Sequence, residues 1–432
     1  MKKISVIAIV IIWANLGFAQ RCAYVLNGNA ETLSRIDLET GAVINHIATT
    51  GPVPNQVVYY DGLLYVVNSG SASLQIINPE NNNTIAEIPL PLSCNPMNVA
   101  FIGQYAYVTG MTTAGVYKIN LESRSVIDTF AVGRSPAGIL AASGVLYVAN
   151  TAFNPVDLTY GQGSVTVLSP VDGQRFADIN VGKNPQALAL GTDDMINVIC
   201  TGNYSNIRGK IYFINPANNR AIDSLPTGGD PYWPVLDNNG IGYISAGGWT
   251  GNGVVFSYNA VTRTIIRGQG NPIAVANGAM GLAMDSLGML YCTGQSANAV
   301  TRFTGPGQIT ATYNVGGGPV SITIMDRGTG IASGDSTINP APINLGVPYP
   351  NPFNSTVVIP FSGTVRTGQP VFFEIYDILG QLICRFEPAR EGIYQNNIVW
   401  DGRDSRGVMA SSGIYFIRMA GTWQTAKMVL LR

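Results

Sequence analysis

The stretch Leu64-Tyr65-Val66-Val67-Asn68 decides the fold, because the chain carries seven versions of it. The others are Tyr24-Val25-Leu26-Asn27, Tyr107-Val108-Thr109-Gly110, Tyr147-Val148-Ala149-Asn150, Asn197-Val198-Ile199-Cys200, Tyr243-Ile244-Ser245-Ala246 and Tyr291-Cys292-Thr293-Gly294. Their lead residues step by 41, 42, 40, 50, 46 and 48 positions. A unit repeated at this period cannot bury its own faces and must stack on its neighbours.

Two further phrases keep the same beat. One ends a strand and opens a turn: Ile36-Asp37, Ile77-Asn78, Ile119-Asn120, Leu168-Ser169, Ile214-Asn215, Tyr258-Asn259 and Phe303-Thr304. Short polar side chains suit that place, since they hydrogen-bond the local backbone and start a turn. The other phrase precedes each Tyr-Val copy after the first. It is usually a proline, an apolar run and a turn, as in Pro54 to Gly62 and Pro136 to Gly144, though the copy at Ala279 to Gly288 lacks the proline. Asp61-Gly62, Ser143-Gly144 and Asn239-Gly240 are tight-hairpin pairs, because Gly takes positive φ without strain.

Each repeat therefore reads as four short strands, A to D, with A after the proline and B the Tyr-Val phrase. Seven such sheets around an axis bury their faces and protect their edges. The expected fold is all-β: a seven-bladed β-propeller over residues 20–335, then a small immunoglobulin-like β-sandwich. The phase predicts how the ring closes. The chain enters at strand B, and a lone strand A remains at Val320 to Met325, so the last strand should complete the first sheet.

Leu64 to Asn68, Ser164 to Leu168 and Asp178 to Gly182 carry a resemblance to the YVTN β-propeller repeat family. Asn197 in place of the Tyr, and the irregular sixth repeat around Arg267 to Gly278, depart from its pattern. The resemblance implies an exported protein, since family members include surface-layer and other exported binding proteins. A fold alone does not assign a function.

Residues 336–348 read as a linker rich in Gly, Ser, Pro and Asn, extended between two domains. Residues 349–432 are a different object. Tyr349-Pro350-Asn351-Pro352-Phe353-Asn354 opens it, and alternating strands follow with turns at Gly380, Gly402, Gly407 and Gly413. This is sandwich spacing. With Ile375 to Gly380, Trp400-Asp401-Gly402-Arg403-Asp404, Ser412 to Phe416 and Lys427 to Arg432, it resembles the C-terminal sorting domain of type IX secretion cargo. It is equally similar to the FlgD-like immunoglobulin module. The resemblance implies export across an outer membrane, with the secretion machinery as a partner of residues 349–432. Asp401 and Asp404 either close a plain loop through backbone N–H groups or contribute to a calcium loop, which needs several oxygen ligands. Trp400 reads as core.

Bulk numbers bound the rest. The 24 Lys and Arg against 25 Asp and Glu leave a net charge of −1, and only 11% of residues are charged. No electrostatic footprint for nucleic acid follows from that balance. Residues 1–19 read as a secretory signal: Lys2 and Lys3, an apolar run from Ile4 to Leu16, and Gly17-Phe18-Ala19 before the cut. The rival reading is an uncleaved anchor helix, for which the run is short. No transmembrane segment is expected in the mature chain, which should reach the outside or outer surface of a Gram-negative cell. Five cysteines, Cys22, Cys94, Cys200, Cys292 and Cys384, lack C-x-x-C spacing. They read as small buried hydrophobes, with a disulfide left open.

Chemistry is sparse. His46 is the one histidine and falls on an outer strand, which argues against triads and His-rich zinc sites. No cofactor or metal site is expected. The informative asymmetry lies in the loops. B–C and D–A loops share one face, and three B–C loops are long: Asn150 to Gly163, Thr201 to Gly209 and Gly247 to Gly253. They carry Phe153, Tyr160, Tyr204 and Trp249. Neighbouring D–A loops offer Arg134, Lys183, Asn184, Asp230, Tyr232, Trp233 and Asn277. Aromatic faces with amides and a few charges suit a glycan, peptide or protein ligand. The expected function is a non-catalytic binding module. The alternatives are a propeller enzyme (lactonase-like hydrolase or quinoprotein-like dehydrogenase) and a structural coat protein.

Overall fold

The computed structural model describes residues 21–248, 251–326, 344–346, 348–365, 373–378, 381–386, 392–419 and 425–431. The signal segment 1–19, Trp249 and most of the linker lie outside the described residues.

Among the described residues, seven sheets share one antiparallel meander. Their innermost strands are Pro319–Asp326, Pro54–Tyr60, Pro96–Ile102, Pro136–Ala142, Pro185–Leu190, Pro231–Leu236 and Ala279–Met284. Each touches the next in that order, and the last touches the first. The result is a closed β-propeller. The seam lies in the first sheet, where Val43–Thr49, Thr32–Asp37 and Arg21–Asn27 are completed by Pro319–Asp326. Tyr24 faces Thr323 and Val25 faces Ile322 across that pair.

Local chemistry places the turns. Asp37 Oδ1 accepts from Thr40 N at 2.8 Å, Asn78 Oδ1 from Glu80 N at 2.8 Å and Asn120 Oδ1 from Glu122 N at 2.9 Å. The equivalent Ser169, Asn215, Asn259 and Thr304 side chains accept backbone N–H groups in the same way. The polar residue of the second phrase is thus the acceptor that folds each C–D turn.

The recurring tyrosines seal the spaces between sheets. Tyr65 packs on Phe101 of the third sheet at 4.7 Å between ring centroids. Tyr107 packs with Leu146 and Val148 of the fourth sheet, and Tyr147 with Leu188 and Val198 of the fifth. The exception is compensated. Asn197 is buried, and Tyr258 of the sixth sheet fills the vacated space, its hydroxyl donating to Asn197 Oδ1 at 3.1 Å. The third residue of the phrase has its own task where it carries a hydroxyl. Thr109 Oγ1 accepts from Asn98 N at 3.1 Å, in the bulge of its own inner strand, and donates to Ala137 O of the next sheet at 2.7 Å. Ser245 repeats this between Trp233 N and Met280 O. Buried backbone groups left unpaired by the bulges thereby find partners.

In the sixth sheet the outer strand is broken. Thr264–Arg267 and Ile273–Ala274 both pair with Val254–Asn259. The residues between them loop out, and Gln269 Oε1 accepts from Gly229 N at 3.2 Å.

All five cysteines are buried and unbridged. Burial pushes the Cys94 thiol up to about 11 and those of Cys292 and Cys384 up to about 12. A raised pKa removes the reactive thiolate. A thiol reagent at neutral pH should therefore label almost nothing in the native protein and all five sites after denaturation; rapid native labelling would contradict this packing. His46 is exposed on the outer strand of the first sheet.

The C-terminal segment is a two-layer sandwich. One sheet holds Asn344–Leu345, Val357–Val365 and Gly392–Trp400; the other holds Leu382–Phe386, Phe373–Asp377, Gly413–Met419 and Thr425–Leu430. Trp400 is core, with Phe353 at 5.5 Å and Tyr415 at 5.0 Å. The opening Tyr-Pro-Asn-Pro-Phe motif docks on the last strand: Asn351 Nδ2 donates to Lys427 O, and Val429 N donates to Asn351 Oδ1, each at 2.8 Å. Asp404 Oδ1 accepts from Arg406 N and Val408 N, both at 2.9 Å, and Asp401 Oδ1 from Arg403 N at 3.1 Å. These bonds close the loop through backbone N–H groups.

Candidate functional site

B–C and D–A loops run side by side at one end of the propeller. Ala152 N donates to Arg134 O at 3.0 Å and Gly202 N to Lys183 O at 3.2 Å. The long loop after Asn150 folds as a small hairpin. Phe153–Asn154 pairs with Thr159–Tyr160, the two rings lie 5.1 Å apart, and Asp157 Oδ1 holds the turn through Thr159 N at 3.1 Å. The loop after Thr201 is held by Asn203, whose Oδ1 accepts from Ser205 N at 3.1 Å and Ile207 N at 2.8 Å. Tyr204 sits at its tip with φ +57°. Its ring lies 6.2 Å from Tyr160.

These loops overhang a cavity of about 370 Å³ lined by Met97, Tyr160, Gln186, Tyr204 and Tyr232. The five residues come from the third to sixth sheets and their loops. Three of the lining residues are tyrosines that the loop reading singles out. Burial pushes the Tyr232 hydroxyl up to about 12 and raises those of Tyr160 and Tyr204 as well. All three stay neutral donors and acceptors at ordinary pH.

Polar groups back the rings. Asn184 is fully buried, and its Oδ1 accepts from Gln186 Nε2 at 2.6 Å. The amide also lies against the Tyr160 and Tyr204 hydroxyls, where it partly offsets the effect of burial by favouring their ionised forms. Lys183 Nζ donates to Tyr160 O at 2.6 Å, which pins the hairpin. The Asp230 side chain is 9% exposed; Arg208 NH1 lies 3.7 Å from its Oδ1, beyond hydrogen-bond reach. Burial raises the Asp230 pKa, and the nearby guanidinium only partly offsets that.

The other candidates lie apart from the lining. Arg134 is exposed and donates to Asn154 Oδ1 at 2.8 Å. Phe153 packs on Tyr160 from the hairpin's other strand. Trp233 joins the core between the sixth and seventh sheets, next to Val235 and Leu282. Asn277 is exposed. Met97 and Gln186 are lining residues that the loop reading does not include. A signal for them exists: Met97, Gln186 and Tyr232 each directly follow the proline opening an inner strand, at Pro96, Pro185 and Pro231. That position borders the axial mouth. Among the described residues, no three of His, Cys, Asp and Glu come together to hold a metal ion, and no helix is long and apolar enough to cross a membrane.

No curated protein matches the sequence. Solved structures match its fold. A protein of unknown function from Desulfotomaculum acetoxidans is 16% identical, with a TM-score of 0.56 over 71% of this chain and 99% of its own. A Bacteroides uniformis protein described as a putative 6-phosphogluconolactonase is 12% identical, with a TM-score of 0.56 over 71% of this chain and all of its own. A streptogramin B lyase is 13% identical, with a TM-score of 0.50 over 62% of this chain and 86% of its own. At such identities the likeness is one of fold. Residues 348–430 match the family described as the secretion system C-terminal sorting domain. The chain is thus a β-propeller followed by a secretion-system sorting domain, and that domain directs it to the cell surface or beyond.

Proposed function

We propose that this is an exported, non-catalytic binding protein that takes its ligand at the loop-rich mouth of the propeller. The observation that carries the reading is the convergence of Tyr160, Tyr204 and Tyr232, from two loops and an inner strand, on one cavity of about 370 Å³. That volume lies within the range of roughly 300–1,000 Å³ of ordinary small-ligand pockets. Export proceeds through a type IX machinery that reads residues 349–432, after a leader ending near Ala19 is removed. The domain limits in this reading are a leader at 1–19, a propeller at 20–335, a linker at 336–348 and the sorting domain beyond.

Among the described residues the mouth offers rings and an amide, with the half-buried acid Asp230 near Tyr204. A metal-supported hydrolase would want several carboxylates there. The enzyme reading keeps one foothold: Asp230 has a raised pKa beside a cavity, as general acids do, and the Bacteroides uniformis neighbour is described as a putative 6-phosphogluconolactonase.

Mature protein immobilised and exposed to a surface extract of the producing cells should retain material. The variant Tyr160→Ser/Tyr204→Ser/Tyr232→Ser should retain several-fold less. Equal retention would remove the mouth from the account. Turnover of a gluconolactone that disappears in Asp230→Asn would replace binding with catalysis.

A further inference from the structure

The sorting domain presents a surface that its own core does not use. Along Gly413–Met419, Tyr415 and Ile417 are buried in the sandwich, so Ile414, Phe416 and Arg418 face the other way. Register carries that face across the sheet. Phe416 stands opposite Tyr376 on one side and Lys427 on the other, and Ile414 stands opposite Val429. Arg418 stands opposite Glu374, which stands opposite Arg385. Directly opposed residues share a face. Tyr376, Ile414, Phe416 and Val429 are each partly exposed and lie outside the core cluster around Trp400. Arg385 and Lys427 are exposed.

Charge narrows the partner. The one carboxylate among these residues, Glu374, is spent locally. Tyr376 OH donates to its Oε2 at 2.5 Å, and Arg385 Nε donates to its Oε1 at 3.0 Å. Three cations, Arg385, Arg418 and Lys427, stand against that one acid, so the group carries a net charge of +2. Aromatic and aliphatic side chains inside a frame of cations have the make-up of an interface centre with a polar rim. Such a surface suits a partner whose own apolar patch is edged by Asp or Glu.

We propose that this face, centred on Tyr376, Ile414 and Phe416 and framed by Arg385, Arg418 and Lys427, is where the secretion machinery holds the domain, through an apolar surface of its own rimmed by carboxylates. The occupant follows from the domain's task. Residues 348–430 match a sorting domain, and such a domain has to be held by the apparatus that moves it. The inference rests on the reading above, in which that machinery recognises residues 349–432, and it supplies the surface. Mouth and face belong to different domains, so a variant of one leaves the chemistry of the other intact.

The test is export of the full chain, leader included, from a bacterium that carries the matching machinery. The readout is the share of newly made protein that reaches the cell surface or the medium. Phe416→Ser should lower that share about tenfold, as loss of an aromatic anchor does, and Lys427→Glu several-fold. Val399→Ser, exposed on the outer side of the other sheet opposite Val358, should export as the parent does. Melting temperatures of the purified chains guard against a folding defect, and the charge reversal at exposed Lys427 carries the test if Phe416→Ser melts early. Normal export of both Phe416→Ser and Lys427→Glu would overturn the assigned face. Equal retention of Val399→Ser would overturn it too, since export would then follow any change to the domain. A chain ending at Pro348 is expected to stay inside; if it is exported, the reading of the domain as the machinery's signal fails, and this inference with it. Purified parent that sediments with phosphatidylglycerol vesicles, when Phe416→Ser does not, would assign the face to a membrane instead.

Discussion

A mature chain that stops at Gly318 should show no cooperative unfolding transition, whereas one that stops at Asp326 should melt sharply. The difference is the strand Pro319–Asp326. It pairs along the whole of Arg21–Asn27, from Arg21 opposite Asp326 to Asn27 opposite Pro319. It also touches the inner strands of the second and seventh sheets. Ile324 is buried in the cluster with Tyr291, and Met325 in the cluster with Leu64. Ile322 is buried beside Ile324. Full burial of such side chains is worth roughly 1.5–3 kcal/mol each, and a domain's total stability is only about 5–15 kcal/mol. Removing all three, and leaving Arg21–Asn27 as an open edge, exhausts most of that margin. Circular dichroism melts of the two chains decide the matter. Equal midpoints would mean that the ring does not depend on its clasp.

The second large effect is expected at the same seam. Arg21 NH2 donates to Asp285 Oδ2 at 2.7 Å, and Arg21 Nε lies 3.5 Å from Asp326 Oδ2. The Asp285 side chain is 0% exposed and that of Arg21 11%. Asp285 also accepts from Tyr291 OH at 3.0 Å, Leu287 N at 3.0 Å and Met289 N at 2.9 Å. One guanidinium therefore ties the first strand to the seventh sheet and to the end of the closing strand. Arg21→Met leaves a buried carboxylate without its cation, a change that costs about 3–5 kcal/mol. Urea denaturation should show that loss. The double variant Arg21→Met/Asp285→Leu should regain part of it, because the stranded charge is gone as well. A single-variant loss below about 1 kcal/mol, the range of exposed pairs, would show that solvent screens the clamp.

Much of this architecture is written in short-range pattern. The Asp, Asn, Ser or Thr that ends each third strand fixes a turn by bonding its own backbone, so a single position announces it. The Tyr of the second strand packs toward the next sheet wherever it occurs. At Asn197 the pattern breaks, and its substitute, Tyr258, comes from a different sheet. No local reading locates that ring. Trp233 shows the same limit from the other side. It neighbours Tyr232 in the chain, yet one residue lines the mouth and the other joins the core between two sheets. Successive strand residues face opposite ways, and the bulge between Pro231 and Pro234 shifts that alternation. Which of the pair meets the cavity depends on the bulge geometry.

By itself the sequence determined a ring of four-stranded units, closed by its last strand, with the long aromatic loops in one sector of one face, ahead of a sorting domain. Those features follow from period, phase and turn chemistry, all local in the chain. Only the tertiary structure decided that Met97, Tyr160, Gln186, Tyr204 and Tyr232 share one cavity. Those groups are drawn from four sheets, and their meeting depends on the curvature of the ring and the turn of each bulged strand. Neither quantity has a signature in any single repeat.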